Sequence, residues 1–100
     1  MNERPIPEAA QRDPNAVEML RVWVAEEKLH CSLKIGMYRE TMDVEEETAW
    51  GTILADAARH IAIALSSGYD IDEQVALGEI RARFNAELAS PSSDAIGGFV

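Results

Sequence analysis

Apolar and polar positions alternate along residues 19–35, which read MLRVWVAEEKLHCSLKI. Leu20, Val22 and Val24 occupy every second position, and a second run from Leu29 to Ile35 repeats the same period. This two-residue period, with β-branched valines in the first run, is typical of strands. A helix over residues 16–36 fits less well, because Met19 and Val22 would leave its apolar face. The pattern therefore predicts a β-hairpin.

The predicted hairpin loop is Ala25–Lys28, and we expect a four-residue connection around a type I turn. No Gly or Asn is available there for a primed two-residue turn. An even-sized loop keeps the apolar residues of both strands on one face. The resulting register pairs Val24 with Leu29, Val22 with Cys31, Leu20 with Leu33, Trp23 with His30, and Arg21 with Ser32.

A longer period begins after the connector 36–42. Asp43 is the predicted N-cap of a helix, with Glu46 as its capping-box partner, and Ser67–Gly68 is the expected stop. Apolar residues then recur at three- and four-residue intervals, as on one face of an amphipathic helix. This stripe consists of Trp50, Ile53, Leu54, Ala57, Ala58, Ile61, Ala64 and Leu65.

A second helix follows, with Asp70 as its predicted N-cap, Glu73 in the capping-box position, and an end near Ser90–Pro91. Its apolar positions are Leu77, Ile80, Phe84 and Leu88. The predicted fold class is therefore α+β, a β-hairpin followed by two α-helices (ββαα). The alternating apolar residues of the two strands are expected to pack on the Trp50 stripe. We expect an irregular N-terminal arm at 1–15 with at most one helical turn, a single α+β domain at 16–91, and a flexible C-terminal tail at 92–100.

Composition narrows the class of protein. The chain has 100 residues, is 47% hydrophobic, and carries a net charge of −9, which argues for a folded acidic domain and against a nucleic-acid partner. The single cysteine, Cys31, cannot form an internal disulfide, and residues 1–10 lack the apolar stretch of a secretory signal. No apolar run approaches the length of a membrane span. We expect a cytoplasmic protein with no membrane partner.

Several short motifs resemble those of a known family. They are the run Ala49-Trp50-Gly51, Asp56 with Ala58-Arg59-His60, the upstream segment 18–25 (EMLRVWVA), and the later Ile80-Arg81 and Phe84-Asn85-Ala86-Glu87. Together they resemble a family of short bacterial proteins known as a domain of unknown function, family 5076. The resemblance covers about residues 16–91. It implies one domain and supplies no activity.

Few residues suggest chemistry. Asp56 and His60 are four residues apart on the predicted helix, so the carboxylate and imidazole are within reach of each other. With Trp50, they form a candidate ligand-binding site in a pocket between helices and hairpin. A satisfied structural His is the simpler interpretation, and no catalytic residue is assigned. His30 and Cys31 point to opposite faces of a strand, so no metal site and no cofactor are expected.

The outer hairpin face is the candidate interface. It carries Val17, Met19, Arg21, Trp23 and His30, and exposed Trp beside Arg is typical of interaction hot spots. A hairpin also leaves two open strand edges, which a second copy could cover. We therefore expect a homodimer formed through the hairpin, unless the N-terminal arm folds back over Trp23.

Three functions follow from these features. The first is a non-catalytic homo-oligomeric interaction module that binds another protein. The alternative is a small-molecule-binding protein with the pocket near Trp50 and His60. The third is an enzyme with His60 as a base assisted by Asp56. This pair lacks the nucleophile and the oxyanion donors that a catalytic site requires.

Overall fold

The computed structural model describes residues 1–100, and the chain divides into two compact units. The first contains residues 1–35 and 95–100, and the second contains residues 36–94. The fold class is α+β, with the hairpin preceding the two long helices as predicted. In chain order the elements are α1 (Glu8–Arg12), β1 (Leu20–Ala25), β2 (Lys28–Leu33), α2 (Met37–Thr41), α3 (Glu46–Tyr69), α4 (Glu73–Ala89) and β3 (Gly97–Phe99).

The hairpin has the predicted register. Strands β1 and β2 are antiparallel, and Val22 lies opposite Cys31 while Trp23 lies opposite His30. The remaining predicted pairs are also present: Leu20 with Leu33, Arg21 with Ser32, and Val24 with Leu29. Because side chains alternate between the two faces of a strand, this register keeps the apolar and the mixed face separate.

The turn differs from the prediction. The strands continue to Ala25 and Lys28, which pair with each other, so Glu26 and Glu27 alone form the loop. Both have positive φ, at 52° and 65°. These values are those of a primed turn, whose twist matches the twist of the flanking strands. The predicted type I turn is therefore wrong, and two glutamates occupy a left-handed conformation that favours Asn and Gly.

A third strand completes the sheet, in the order β1-β2-β3. Strand β3 runs parallel to β2, with Gly97 beside Cys31 and Phe99 beside Leu33. The Cys31 amide donates to the Ile96 carbonyl at 2.9 Å, and the Ile35 amide donates to the Val100 carbonyl at 2.7 Å. Residues 97–99 are thus a strand within the predicted flexible tail, and one of the two predicted open edges is covered.

Both long helices begin at other residues than predicted. Asp43 has a φ of 52° and lies outside α3, whose first residue is Glu46. Asp70 follows the end of α3 in a left-handed conformation, and Asp72 caps α4 by accepting from the Gln74 and Val75 amides at 3.1 Å. The predicted N-caps at Asp43 and Asp70 are wrong. The N-cap positions are taken by Glu45 for α3 and by Asp72 for α4, whose backbones have the non-helical conformation that a cap requires. The end of α4 before Ser90 is as predicted.

Burial is limited to small residues. The only buried hydrophobic side chains are Ala49, Ala62 and Ala76, and no large side chain is fully buried. Valines and leucines that the sequence predicts as buried are exposed: Val22 at 51%, Val24 at 75% and Leu29 at 51% in the hairpin, and Leu54 at 39% in α3. The predicted single domain at 16–91 spans both units and stays a prediction. None of the helices has the length and apolar character to cross a bilayer.

Candidate functional site

The outer hairpin face contains a network of charged hydrogen bonds centred on Arg21. Its guanidinium donates to both carboxylate oxygens of Glu18 at 3.0 Å and to Glu3 at 2.8 Å. The Glu18 carboxylate, with Glu3, raises the pKa of Arg21 above its usual value. The bond to Glu3 connects the N-terminal segment to strand β1. A bidentate contact between a guanidinium and a carboxylate fixes the orientation of the two side chains as well as pairing their charges.

A cleft of about 570 Å³ lies between the N-terminal segment and β1. Pro5 and Ile6 line this cleft together with Val17, Val22 and Trp23. The N-terminal segment therefore lies beside Trp23, which is half-buried. This arrangement is the one expected if the arm folds back over that face.

The other predicted interface residues lie on or near the same strands. Met19 is half-buried, whereas Val17 is 48% exposed. The Nε2 atom of His30 is 3.1 Å from the Ala25 carbonyl oxygen. Their role in an interface stays a prediction.

The opposite side of the hairpin carries three exposed apolar side chains. Val22, Val24 and Leu29 lie on one side of the sheet, with Val24 and Leu29 directly opposite each other. We call these three residues the apolar hairpin face. In the sequence they follow the same alternation as the half-buried Leu20, Cys31 and Leu33.

Trp50 is held by the acidic residue one turn before it. Its indole N–H donates to the Glu46 carboxylate at 3.2 Å. The other carboxylate oxygen of Glu46 accepts from the backbone amides of Tyr38 at 2.7 Å and Arg39 at 3.0 Å. These bonds, chiefly that from the Arg39 amide, lower the pKa of Glu46. Trp50 thus belongs to a capping network around α2.

Asp56 and His60 are close together, as predicted. His60 Nε2 lies 3.3 Å from Asp56 Oδ2, and the two side chains are 75% and 61% exposed respectively. The predicted pocket involves residues of both units, and the ligand role of Trp50, Asp56 and His60 stays a prediction. No group of three His, Cys, Asp or Glu residues is arranged to hold a metal ion.

A groove of about 370 Å³ lies between α3 and α4. We call it the α3–α4 groove. Its apolar wall is formed by Leu54, Leu77, Ile80 and Phe84, with the small residues Gly51, Ala55 and Ala58. Its polar residues are Arg59, Arg81 and Asn85.

This groove is not among the sites predicted from the sequence. The helical periodicity identifies most of its apolar residues, but it places Arg59 toward solvent and does not show which parts of the two stripes meet. The candidate ligand residues Trp50, Asp56 and His60 do not line this groove. Only Arg81 gives a signal in the sequence, because it is next to the apolar positions of its helix; Arg59 lies opposite Trp50 on α3, where the pattern predicts a solvent-facing side chain.

Comparison with known proteins identifies a family. No curated protein matches the chain significantly. A solved structure from the photosynthetic bacterium Rhodopseudomonas palustrus, described as that of a "putative pyruvate dehydrogenase", is similar with a TM-score of 0.71 and 28% sequence identity, covering 95% of this chain and 91% of that chain. The description applies to that protein. The model of the family described as domain of unknown function (DUF5076) matches residues 3–92. The chain therefore belongs to the DUF5076 family.

Proposed function

We propose that this protein is a non-catalytic, homo-oligomeric interaction module, in which two copies associate through the β1–β2 hairpin. One observation carries the proposal: alanines are the only buried hydrophobic residues in the chain. A folded chain of this composition normally buries its large apolar side chains. Here valines, leucines and isoleucines in both units are left for another surface to cover.

The apolar hairpin face is the surface best suited to a second copy. Each copy carries a charge of −9, so two copies repel each other except where an uncharged patch lies at the contact. Val22, Val24 and Leu29 form such a patch, and an apolar patch is complementary to itself across a two-fold axis. The N-terminal segment bonds Arg21 on the outer face and lies beside Trp23 in a cleft that Val22 also lines, whereas Val24 and Leu29 do not line this cleft.

Sedimentation velocity over a range of concentrations tests the proposal. We expect a dimer for the natural protein and a Kd raised roughly tenfold or more for Val24→Ser, since a buried Val side chain contributes about 1.5–3 kcal/mol. Val44→Ser is the matched control, because Val44 is also exposed and lies outside the hairpin.

Trp23→Ala separates the two faces. A dimer that resists Val24→Ser but dissociates with Trp23→Ala would move the interface to the residues predicted from sequence: Val17, Met19, Arg21, Trp23 and His30. A protein that stays monomeric at every concentration would contradict the proposal.

A further inference from the structure

The α3–α4 groove combines an apolar wall with two arginines. We propose that it binds a small amphipathic acid, a molecule with one unbranched apolar chain and a carboxylate head group. The groove lies wholly within the second unit. It contains none of the residues of the apolar hairpin face, so the inference is separate from dimerisation.

The apolar wall fits an unbranched chain. Leu54, Ile80 and Phe84 line it, and Leu54 and Phe84 are 39% and 46% exposed. Small residues on α3 keep the groove open: no atom lies within 4 Å of the position a Cβ would occupy at Gly51. Burial of each CH₂ group of a ligand along this wall is worth about 0.8 kcal/mol.

The charges favour an anionic head group. Arg59 and Arg81 both line the groove, and neither forms an ion pair or a side-chain hydrogen bond within the chain. No Asp or Glu lines the groove, although the chain has 18 such residues. The groove is thus a local basic site in an acidic protein. Guanidinium groups match the geometry of a carboxylate and can bind it with two parallel hydrogen bonds.

The size of the groove favours a small molecule over a protein segment. A volume of about 370 Å³ lies within the range of small-molecule sites. A stable protein partner contacts roughly 20–30 residues on each side. Only ten residues line this groove. Asn85, next to Phe84 on α4, adds an amide that can hydrogen-bond the same head group.

Calorimetric titration of the full chain with dodecanoate, below its micelle concentration, tests the inference. We expect one dodecanoate per chain. Arg59→Gln and Arg81→Gln should each weaken binding roughly tenfold, because each removes a charge-assisted hydrogen bond. Arg83→Gln is the matched control, because Arg83 is on the same helix as Arg81 but does not line the groove. This variant should bind dodecanoate as tightly as the natural protein.

Further ligands and variants decide between outcomes. Dodecanol should bind more weakly than dodecanoate and be insensitive to the arginine substitutions, and dodecyltrimethylammonium should bind least. Ala55→Leu should block binding by filling the groove, with circular dichroism as the check on folding. Dodecanoate affinity unchanged by Arg59→Gln and Arg81→Gln would overturn the inference. So would binding of an acidic amphipathic peptide with no binding of dodecanoate.

The association variant separates this inference from the proposed function. Val24→Ser changes the hairpin and leaves the groove intact, so dodecanoate should bind it as tightly as the natural protein. Binding that requires the dimer would overturn the inference, since a second copy would then complete the site.

Discussion

The carboxylate of Glu46 accepts a hydrogen bond from the backbone amide of Tyr38 at 2.7 Å, so a side chain of α3 caps the preceding helix α2. Helix α2 begins after Gly36, which has no side chain to cap it. Glu46 also accepts from the next amide, that of Arg39. These are the second and third amides of α2, which an N-cap side chain normally satisfies. These two hydrogen bonds connect the start of α2 to the start of α3 and so stabilise the turn between the two helices.

Glu46→Ala should lower the melting temperature by several degrees, because two backbone amides and the Trp50 indole lose their acceptor. Glu47→Ala is the control, since Glu47 is exposed and lies next to Glu46. Thermal unfolding followed by circular dichroism measures both. Equal melting temperatures for the two variants would contradict the capping role.

The stabilisation by Glu46 should depend on pH. Folding lowers the pKa of Glu46, so its contribution is fully present above the unfolded pKa of about 4.3 and is lost as pH falls through the lower folded pKa. Unfolding of the natural protein and of Glu46→Ala, measured from neutral pH to about pH 2, should therefore show converging stabilities in acid. A gap that stays constant across this range would show that the ionised carboxylate is not the acceptor that matters.

Gly97→Ala should detach strand β3. Gly97 has a φ of 139°, and a Cβ at this position would overlap the Cys31 carbonyl. Gly98→Ala is the matched control, because a Cβ at Gly98 meets no atom within 4 Å. Hydrogen exchange should show faster exchange of the Cys31 and Ile35 amides in Gly97→Ala only, since both donate to the β3 segment. Protected amides in Gly97→Ala would argue against the pairing.

Replacing Glu26–Glu27 by Asn-Gly should stabilise the hairpin by about 1 kcal/mol, because these residues adopt positive φ at little cost in a primed turn. The double substitution Glu26→Gln, Glu27→Gln removes the same charges and keeps the strain, so it serves as the control. Urea unfolding gives both free energies. A gain in the Gln variant as large as that from Asn-Gly would mean that charge, and not backbone conformation, is responsible.

Asp72→Ala should cost about 1 kcal/mol, because it removes the cap of two α4 amides. Asp70→Asn tests the residue that the sequence favours as the cap. Asn tolerates the left-handed conformation found there, so little change is expected. Urea unfolding compares the two, and a larger loss for Asp70→Asn would reverse the assignment.

Regular periodicity made the hairpin predictable. Alternation at every second residue, with an even-sized loop, determines which residues can pair, and the observed register is the predicted one. The turn conformation was not predictable, because Glu26 and Glu27 have no preference for positive φ and take it from the twist of the strands. The predicted helix caps were wrong for a related reason. More than one acidic residue precedes each long helix, and the backbone conformation determines which of them takes the N-cap position.

The remaining features depend on residues far apart in sequence. Strand β3 is short and glycine-rich, so it has no alternating pattern to reveal it. The α3–α4 groove requires knowing which parts of two helices meet, and neither stripe contains that information alone. The Asp56–His60 contact was predictable because it lies within one helix, where a spacing of four residues determines proximity.

The parallel pairing of β2 with β3 has a consequence for synthesis of the chain. Both long helices lie in the connection between these strands, so β2 keeps an open edge while residues 36–94 are being made. Closing so long a loop costs entropy, and strand β3 has only three residues. Until residues 97–99 have been made, the newborn hairpin therefore keeps a strand edge that wrong partners can occupy.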